Sequence, residues 1–336
     1  MLGRSDNVTD FLVIGAGLAG LACAADLQTS GASLTVLDKG RGVGGRCATR
    51  RLRDVRVDHG AQFFTARSER FQQIVASGLA EGSIGEWYRT IPVWKDGAIH
   101  ERAEGHPRYA CPEGNSALPK FLAAGLDVRL GDAVTEIERT PDGFTAATAS
   151  GETFSGRRLV LNLPPEQLLA LAGDLLDVDS VARFSAVKME PRWAVVATLE
   201  RDLPVSWPAL ELEGHPSLSW IARDHTKRPP GTSPTLVLHA DADWTRAHYD
   251  DPPEAVISAL LADVAVLLGP EKAVESVAHR WKYAKTIAPL GEPYFLSGEI
   301  GACGDWCLGG RVEGAIQSGW ALADAILSEP GASSTV

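Results

Sequence analysis

The chain has 336 residues, of which 45% are hydrophobic and 22% are charged, enough apolar material for about two domains. Its 32 Lys and Arg against 43 Asp and Glu give a net charge of -11. This balance excludes a general nucleic-acid binder, since such proteins present a basic face.

The chain shows no sign of export or membrane insertion. The apolar segment 11–25 is broken by three glycines and lacks the basic region and cleavage site of a signal peptide. No run reaches the roughly 18 uninterrupted apolar residues of a membrane span. The five cysteines do not form a disulfide framework, and the spacing of Cys303 and Cys307 matches neither a redox nor a zinc motif. We therefore expect a cytoplasmic protein with reduced, buried thiols, no bound metal and no membrane contact.

The chain opens with a compact β-α-β pattern. Residues 11–14 form a short apolar run typical of a buried parallel strand, and GAGLAG follows at 15–20. Residues 21–27 favour a helix, and residues 33–37 favour a second strand that ends on Asp38. Asp38 comes 18 residues after Gly20, which is the context expected of a dinucleotide-binding fingerprint.

Each part of this fingerprint has a physical role. Gly15 permits the tight turn, Gly17 lets the backbone approach a pyrophosphate, and Gly20 allows close packing of helix on strand. The amides at the start of the helix favour phosphate, and Asp38 would accept hydrogen bonds from the adenosine ribose hydroxyls.

The segment after Asp38 favours a flavin dinucleotide. Residues 39–46, KGRGVGGR, add flexible backbone and three cations that could cover the pyrophosphate a second time. A nicotinamide dehydrogenase has no need of such an extension, so this segment predicts FAD. Residues 57–64, VDHGAQFF, then read as a strand entering a glycine turn.

Segments typical of a cofactor-binding domain occur at both ends of the chain, and a strand-rich region lies between them. Antiparallel strands are expected at 131–149 and 153–163, a helix at 167–176, mostly strands at 181–239, a helix at 253–268, a strand at 299–303 and a helix at 314–327. This order predicts an α/β fold, α+β overall, with two domains. The FAD-binding domain would comprise residues 1–65, 107–175 and 290–336, and the substrate domain residues 66–106 and 176–289.

The last strand and helix complete the predicted cofactor site. Asp305, at the end of the strand, could hold ribityl or phosphate oxygens of a flavin dinucleotide. The amides at the start of the final helix, near Arg311, could point at the flavin pyrimidine and stabilise the anionic reduced ring.

The motifs DKGRGVGGR, DHGAQFFTAR, LVLHA, HRWKYAK and CGDWCLGGRVEGAIQSG resemble those of the renalase family, in particular its bacterial members. The N-terminal motifs are shared across the flavin amine oxidase superfamily and specify only FAD, whereas the C-terminal motif is far more specific. The resemblance spans nearly the whole chain. It implies a Rossmann-type FAD-binding domain and a mixed-sheet substrate domain with helices, a p-hydroxybenzoate hydroxylase-like fold.

The resemblance also implies an activity. Members of this family oxidise dihydronicotinamide dinucleotides reduced at the 2- or 6-position, a small-molecule substrate, by hydride transfer to flavin N5. NAD(P)+ is released, and O2 reoxidises the flavin to give H2O2.

The resemblance implies noncovalent FAD contacts along the matching motifs, with main-chain groups of Val134 facing the adenine. The implied contact residues are Gly15, Ala16, Gly17, Leu18, Ala19, Asp38, Lys39, Arg41, Gly44, Gly45, Arg46, Gly60, Ala61, Gln62, Phe63, Val134, Asp305, Arg311, Val312 and Glu313.

His239 and Trp281 match family positions beside the flavin, and with Gln62 they form the implied catalytic set. Trp281 would form a wall for the nicotinamide ring, and His239 would hydrogen-bond the carboxamide. Ordinary core packing is the alternative for both residues. Since hydride transfer needs no general base when the product is a cation, we expect these residues to orient the substrate.

Two further features have two interpretations each, and a third has one. Five arginines between Arg46 and Arg56 could steer an anionic dinucleotide, or form a solvated hairpin face. Arg223, Lys227 and Arg228 could meet the substrate pyrophosphate, or lie in a solvated loop. His59 is expected to be structural.

Two other functions stay open. A flavin amine oxidase acting on a small amine would use a lysine near flavin N5, for which Lys282 and Lys285 are candidates. A noncatalytic flavoprotein that senses a dinucleotide or a partner is the third hypothesis.

Overall fold

The structure is a computed structural model that describes residues 8–329. Its helices are α1 (Leu18–Thr29), α2 (Glu69–Glu81), α3 (Ala117–Leu122), α4 (Pro165–Ala172), α5 (Val178–Ala186), α6 (Ala242–Ala247), α7 (Pro253–Leu268) and α8 (Val312–Leu327). Its strands are β1 (Thr9–Ile14), β2 (Leu34–Asp38), β3 (Thr49–Leu52), β4 (Val55–Asp58), β5 (Gly85–Tyr88), β6 (Val93–Lys95), β7 (Ala98–His100), β8 (Arg108–Ala110), β9 (Val128–Leu130), β10 (Val134–Thr140), β11 (Gly143–Thr148), β12 (Thr153–Leu161), β13 (Lys188–Leu199), β14 (Ala209–Leu212), β15 (Leu218–Arg223), β16 (Thr235–Ala240), β17 (Ala273–Ala288), β18 (Phe295–Ser297) and β19 (Ile300–Ala302).

The chain divides into two compact units. Within the described residues, the first unit takes 8–46, Leu118–Met189 and 285–329, and the second takes Cys47–Ala117 and Glu190–Ala284. These boundaries differ from the expected domain limits in two ways: residues 47–65 and 107–117 group with the second unit, and residues 176–189 and 285–289 group with the first. The apolar side chains of the β3–β4 hairpin explain the first difference, since Leu52, Val55 and Val57 pack in a core cluster with Val196 and Val237.

The first unit is built on an eight-stranded sheet. Strands β9, β2, β1, β12 and β19 lie side by side and run parallel, so their carboxyl ends meet at one edge. The β10–β11 hairpin adds antiparallel strands to β12. Strand β1 is buried along Phe11–Ile14, as a parallel strand covered on both faces requires.

The second unit is built on a seven-stranded sheet in the order β17-β13-β16-β15-β14-β6-β7. One face packs against the apolar side of α7. The other face, which we call the hairpin face, carries Val196, Ala222 and Val237 and packs against the β3–β4 hairpin. Because side chains alternate along a strand, His239 on β16 lies on the hairpin face with Val237.

The helix expected at 253–268 is confirmed as α7, and the N-terminal strand–helix–strand pattern as β1, α1 and β2. The strand-rich prediction from residue 181 is wrong at its start, because Val178–Ala186 form α5. Asp177 caps this helix by accepting the amide of Ser180, and Phe184 anchors it in the core. None of the helices between residues 8 and 329 combines the length and apolar character that a membrane span requires.

Candidate functional site

The first unit places the GAGLAG turn at the carboxyl end of β1. Helix α1 begins after Gly17, and no side chain caps it, so its first amides remain available to a ligand. Gly15 has a φ of +105°, a backbone conformation that favours glycine. Ala16, Leu18 and Ala19 are buried, so any contact they make with a cofactor runs through the backbone.

Asn162 lies behind this turn, at the end of β12, and sequence reasoning missed it. A Cβ on Gly17 would come within 2.5 Å of Asn162 Oδ1, and one on Gly15 would meet the Asn162 carbonyl oxygen. Asn162 Nδ2 donates to the carbonyl oxygen of Cys303 at 2.8 Å, and the backbone N–H of Asn162 donates to the carbonyl oxygen of Ile14. Glycine is therefore required here because a side chain would collide with Asn162, in addition to the expected need for close approach of a pyrophosphate.

Asp38 ties the start of α1 to the following loop. One carboxylate oxygen accepts the amide of Ala16 at 2.6 Å, and the other accepts the amide of Gly40 at 2.6 Å. A carboxylate oxygen has two lone pairs, so each oxygen keeps a site for a ribose hydroxyl. The amide of Gly131 donates to the carbonyl oxygen of Asp38 at 3.0 Å, which brings the segment leading to Val134 to the same strand end.

The glycine-rich extension folds back onto the turn. The amide of Gly44 donates to the carbonyl oxygen of Ala16 at 2.7 Å, whereas Lys39, Arg41 and Gly45 are exposed. Arg46 forms a bidentate ion pair with Asp305, with one bond at 2.8 Å. Two predicted cofactor residues 259 positions apart thus meet in the first unit.

The final helix supplies a second helix start without a side-chain cap. Arg311 stands at its N-cap position with an extended backbone, Val312 begins α8, and Glu313 in the first turn is buried. A carboxylate in the first turn is favoured by the helix dipole. Gly319 further along α8 packs against the carbonyl of Ala19, so α8 is held against the start of α1.

The second unit places Trp281 among histidines. The Trp281 ring stacks on His59, with centroids 5.2 Å apart, and meets His279 edge-on at 4.2 Å. Its indole N–H donates to the carbonyl oxygen of His59 at 3.0 Å, which fixes the ring. Burial, aided by His279 and Arg50, lowers the pKa of His59 to about 4, and burial lowers that of His279. Both imidazoles are neutral at physiological pH.

His239 lies on the hairpin face, directly opposite Ala194 on β13 and Trp220 on β15. Burial is the main reason that its pKa falls to about 3, with a further contribution from Arg192. Its ring is therefore neutral and offers one donor and one acceptor. Its Nε2 is buried and finds no hydrogen-bond partner among residues 8–329.

Gln62 is anchored by a buried ionic cluster that sequence reasoning missed. We call Asp58, Asp224, Lys227 and Arg228 the ionic quartet. Lys227 Nζ lies 2.7 Å from Asp224, 3.3 Å from Asp58 and 3.3 Å from Gln62 Oε1, and its side chain is 0% exposed.

Further ion pairs and hydrogen bonds hold the residues around the quartet. Arg228 pairs with both carboxylates, Asp58 at 2.7 Å and Asp224 at 2.8 Å. Gln62 donates its amide hydrogens to the carbonyl oxygens of Asp58 and Gly60, and Asn115 Nδ2 donates to that of Ala61.

The quartet overturns both interpretations of the loop at 223–228. Lys227 and Arg228 neither meet solvent nor remain available for a pyrophosphate, because their charges are compensated inside the second unit. Arg223 pairs with Asp202. The sequence signal was available: Asp224 stands three and four residues before Lys227 and Arg228, a spacing at which charged side chains can pair.

Two other charge predictions can be compared with the structure. In the stretch 46–56, Arg46, Arg53 and Arg56 pair with Asp305, Glu275 and Glu113 respectively. Lys282 and Lys285, the lysines considered for amine oxidation, are exposed.

Comparison with known proteins places these features in a family. Residues 95–327, more than half of the chain, match the family model of the flavin-containing amine oxidoreductases, and residues 13–77 match that of an NAD(P)-binding Rossmann-like domain. Mouse renalase is 26% identical over 301 residues, covering 84% of this chain and 86% of that protein.

Two solved structures are similar over almost their whole length. A redesigned putrescine oxidase superposes with a TM-score of 0.76 at 15% identity, covering 95% of this chain and 99% of that one. Cyclohexylamine oxidase from Brevibacterium oxydans superposes with a TM-score of 0.75 at 15% identity, with the same coverage. The predicted fold class, the FAD cofactor and the expected oxidoreductase class are confirmed. The chain belongs to the flavin-containing amine oxidoreductase family.

Proposed function

We propose that this FAD-dependent oxidoreductase oxidises dihydronicotinamide dinucleotides reduced at the 2- or 6-position. The observation that carries the proposal is the Trp281 wall, a fixed indole flanked by the neutral imidazoles of His59 and His279. A flat apolar surface suits a dihydropyridine ring, and hydride loss from that ring leaves a cation without any proton transfer to the protein. The motif resemblance to the renalase family and the similarity to mouse renalase support the same substrate class.

In this proposal the first unit holds the cofactor. The uncapped amides of α1 would contact the pyrophosphate, Asp38 would accept from the ribose, and the Arg46–Asp305 pair would hold ribityl or phosphate oxygens. The amides at Arg311–Glu313 would face the flavin ring, and main-chain groups of Val134 would contact the adenine. FAD held by these residues would supply the hydride acceptor and the route by which two electrons reach O2. Overall, the dihydro dinucleotide, O2 and one proton give NAD(P)+ and H2O2.

The second unit orients the substrate. Trp281 supplies the surface for the ring, and His239 supplies a neutral hydrogen-bonding group whose charge does not change between about pH 5 and 8. Gln62, held by Lys227 and by two backbone carbonyls, has little freedom to turn. In this proposal these groups bind and position the substrate, and none acts as a general acid or base.

The amine oxidase alternative finds less support. The exposed Lys282 and Lys285 lack the buried setting expected of a lysine that works at flavin N5. Lys227 is buried, but its ammonium group already donates to Asp224, Asp58 and Gln62, which uses all three of its hydrogens.

A cytoplasmic location is part of the proposal: all five cysteines are buried and reduced within the described residues 8–329, as is usual for proteins of a reducing compartment.

The proposal is tested by mixing the holoenzyme anaerobically with 2- or 6-dihydro-NAD, with ordinary 4-dihydro-NADH or with a panel of small amines. Flavin absorbance is followed at about 450 nm. We expect rapid bleaching by the 2- or 6-isomer alone, and H2O2 when air is admitted. Bleaching by an amine alone would establish the alternative, whereas no bleaching by any donor would favour a noncatalytic flavoprotein.

A further inference from the structure

Four buried polar atoms of the second unit have no hydrogen-bond partner within the described part of the chain. They are Tyr88 Oη, Trp220 Nε1, His239 Nε2 and His59 Nδ1. Buried polar groups in folded proteins are nearly always hydrogen-bonded, so an unpartnered one calls for an explanation such as a bound ligand.

Two of these atoms, Tyr88 Oη and Trp220 Nε1, belong to side chains that pack against Phe63, and a third, His239 Nε2, belongs to the strand partner of Trp220. The Phe63 ring lies 5.7 Å from the Tyr88 ring and 5.8 Å from the Trp220 ring, centroid to centroid. Trp220 and His239 are directly opposite each other in the β15–β16 pair, so their side chains share the hairpin face. The aromatic residues and His239 therefore form one patch, which we call the Phe63 cage.

Irregular strand pairing precedes two aromatic residues of the cage, Trp220 and Tyr88. In β15 the register shifts between Leu218 and Trp220, and in β5 it shifts between Glu86 and Tyr88. A bulge turns the following side chain away from its regular direction and is often found beside a functional site. Two bulges, each directly before a residue with an unpartnered polar atom, indicate that these directions matter.

The bulge in β15 is held in place by its own hydrogen bonds. Ser219 Oγ, at the bulge, lies 3.2 Å from the carbonyl oxygen of His239 and 3.0 Å from that of Ala240. Arg192 donates to Ser219 Oγ and, at 3.1 Å, to the carbonyl oxygen of Ala240. Glu190 pairs with Arg192 at 2.8 Å. The backbone that carries the Trp220 indole is thus fixed before any ligand arrives.

The chemistry of the indole decides what it can bind. A tryptophan Nε1–H can only donate a hydrogen bond, so its partner must be an acceptor. An alkylammonium group has donors but no acceptor, whereas a carboxamide offers a carbonyl oxygen. We propose that Trp220 Nε1 donates to the carbonyl oxygen of a planar, carboxamide-bearing ring, and that it selects such substrates against amines. This inference rests on the proposed function and names the group that gives it specificity.

Tyr88 and His239 complete the recognition of the amide. The carboxamide NH2 needs acceptors, and both Tyr88 Oη and the neutral imidazole of His239 provide one. Burial raises the pKa of Tyr88, so its hydroxyl stays protonated and binds as a neutral group.

The test compares two ligands that share a pyridine ring and differ in the group at position 3. Nicotinamide carries a carbonyl, and 3-picolylamine carries an ammonium group. Their binding to the oxidised holoenzyme is measured by perturbation of the flavin spectrum, with NAD+ as a third ligand. The variants are Trp220→Phe, which removes the N–H, and Trp94→Phe, which changes an indole packed with the opposite face of the same sheet.

We expect wild type to bind nicotinamide at least about tenfold more tightly than 3-picolylamine, and Trp220→Phe to weaken nicotinamide and NAD+ binding about three- to tenfold. Binding of 3-picolylamine to Trp220→Phe should not change, and Trp94→Phe should match wild type throughout. The comparison of ligands on wild type holds even if Trp220→Phe does not fold.

Wild-type affinity for nicotinamide and NAD+ retained in a folded Trp220→Phe would overturn the assignment. Wild type that prefers the amine, or that binds neither carbonyl ligand, would also overturn it. Failure of the proposed function is seen separately, as a flavin that no dihydronicotinamide isomer bleaches. If a dihydronicotinamide isomer bleaches the wild-type flavin but Trp220→Phe binds nicotinamide and NAD+ as tightly as wild type, only the Trp220 assignment is rejected and the proposed function stands.

Discussion

The ionic quartet buries four charges that balance each other, and its members depend on one another. Burial alone would raise the pKa of Asp58, yet Lys227 and Arg228 keep that pKa below its ordinary value. Two cations facing two carboxylates leave no net charge, and removing one carboxylate leaves a buried positive charge without compensation.

We therefore predict that Asp58→Asn lowers the free energy of unfolding by about 3–5 kcal/mol, because it leaves one cation of the quartet uncompensated. Urea unfolding followed by circular dichroism measures this change. The matched control is Glu113→Gln, which breaks the exposed Arg56–Glu113 pair and should cost less than about 1 kcal/mol. Equal midpoints for the two variants would contradict the prediction.

The neutral histidines make stability depend on pH. The pKa of His59 is lowered to about 4 and that of His239 to about 3, below the ordinary value of 6.5. The unfolded chain therefore takes up protons first. The contribution of the two neutral histidines to the free energy of unfolding is complete above about pH 6.5 and is lost as the pH falls from there toward pH 4.

We predict that the melting temperature falls between pH 7 and pH 5, and that His239→Gln makes this fall shallower. Differential scanning calorimetry at half-unit steps of pH gives the slope. His100→Gln serves as control, since His100 is exposed and its replacement should leave the slope unchanged. A slope that is the same in His239→Gln and wild type would show that His239 titrates normally in the folded protein.

Arg46 is expected to retain the cofactor through its pair with Asp305. Arg46→Ala removes a bidentate pair and leaves Asp305, a residue that is only 8% exposed, without that cation. We predict at least about tenfold weaker FAD binding, measured as flavin fluorescence released on ultrafiltration of the holoenzyme. Arg51→Ala, an exposed arginine on the neighbouring strand β3, should retain FAD like wild type. Loss of FAD in both variants would indicate a general effect of positive charge.

At the scale of elements, α8 depends on a glycine. A Cβ on Gly319 would collide with the backbone carbonyl of Ala19 and would touch Ala22, both on α1. Two backbones cannot give way as a flexible side chain can, so the helices must separate.

We predict that Gly319→Ala destabilises the protein by about 2 kcal/mol or more, because overpacking of this kind typically costs 1–3 kcal/mol. Gly173→Ala is the matched control. Gly173 has a helical φ of −59° and open space where a Cβ would lie, so alanine there should be neutral or slightly stabilising. Urea midpoints that rank the two variants in the opposite order would refute the packing argument.

Local signals predicted the elements that depend on local physics. The β1–α1–β2 segment was predictable because a buried strand, a glycine turn and an Ala-rich helix follow each other without a gap. Helix α7 was predictable from its apolar periodicity and from Pro270 after its end. Helix α5 was not predictable in the same way, because the cap at Asp177 that starts it is a single residue and β-prone residues follow it.

The site was predictable where one motif carries it, and less so where partners come from distant segments. Asp38 and Gly17 belong to a fingerprint with fixed spacing. Asn162 and the ionic quartet belong to no motif, since their partners stand far away in the sequence, as Asp58 does from Lys227. Tertiary folding alone brings such groups together.

At the scale of the whole molecule, charge acts on the approach of the substrate. The chain carries a net charge of -11, and several arginines of the stretch 46–56 are already paired with carboxylates. A dinucleotide is also an anion, so the long-range field is expected to oppose the encounter.

We predict that the second-order rate constant for flavin reduction by 2- or 6-dihydro-NAD rises with salt, because the Debye length shrinks from about 30 Å at 0.01 M to about 8 Å at 0.15 M. Stopped-flow measurements across that range test it. Neutral dihydronicotinamide riboside is the control and should show no salt dependence. A rate constant that falls with salt would restore the steering role of the arginine stretch.

The five cysteines give the chain a set of natural reporters. Cys23, Cys303 and Cys307 lie in the first unit, Cys47 and Cys111 in the second, and each is at most 2% exposed. Burial raises the pKa of the Cys47 and Cys307 thiols, and alkylating reagents reach any of the five buried side chains only when the surrounding structure opens. Peptide mapping after timed alkylation therefore separates the opening of one unit from that of the other in the unaltered protein. Whether a cofactor protects one half of the molecule or both can be measured without introducing a single probe.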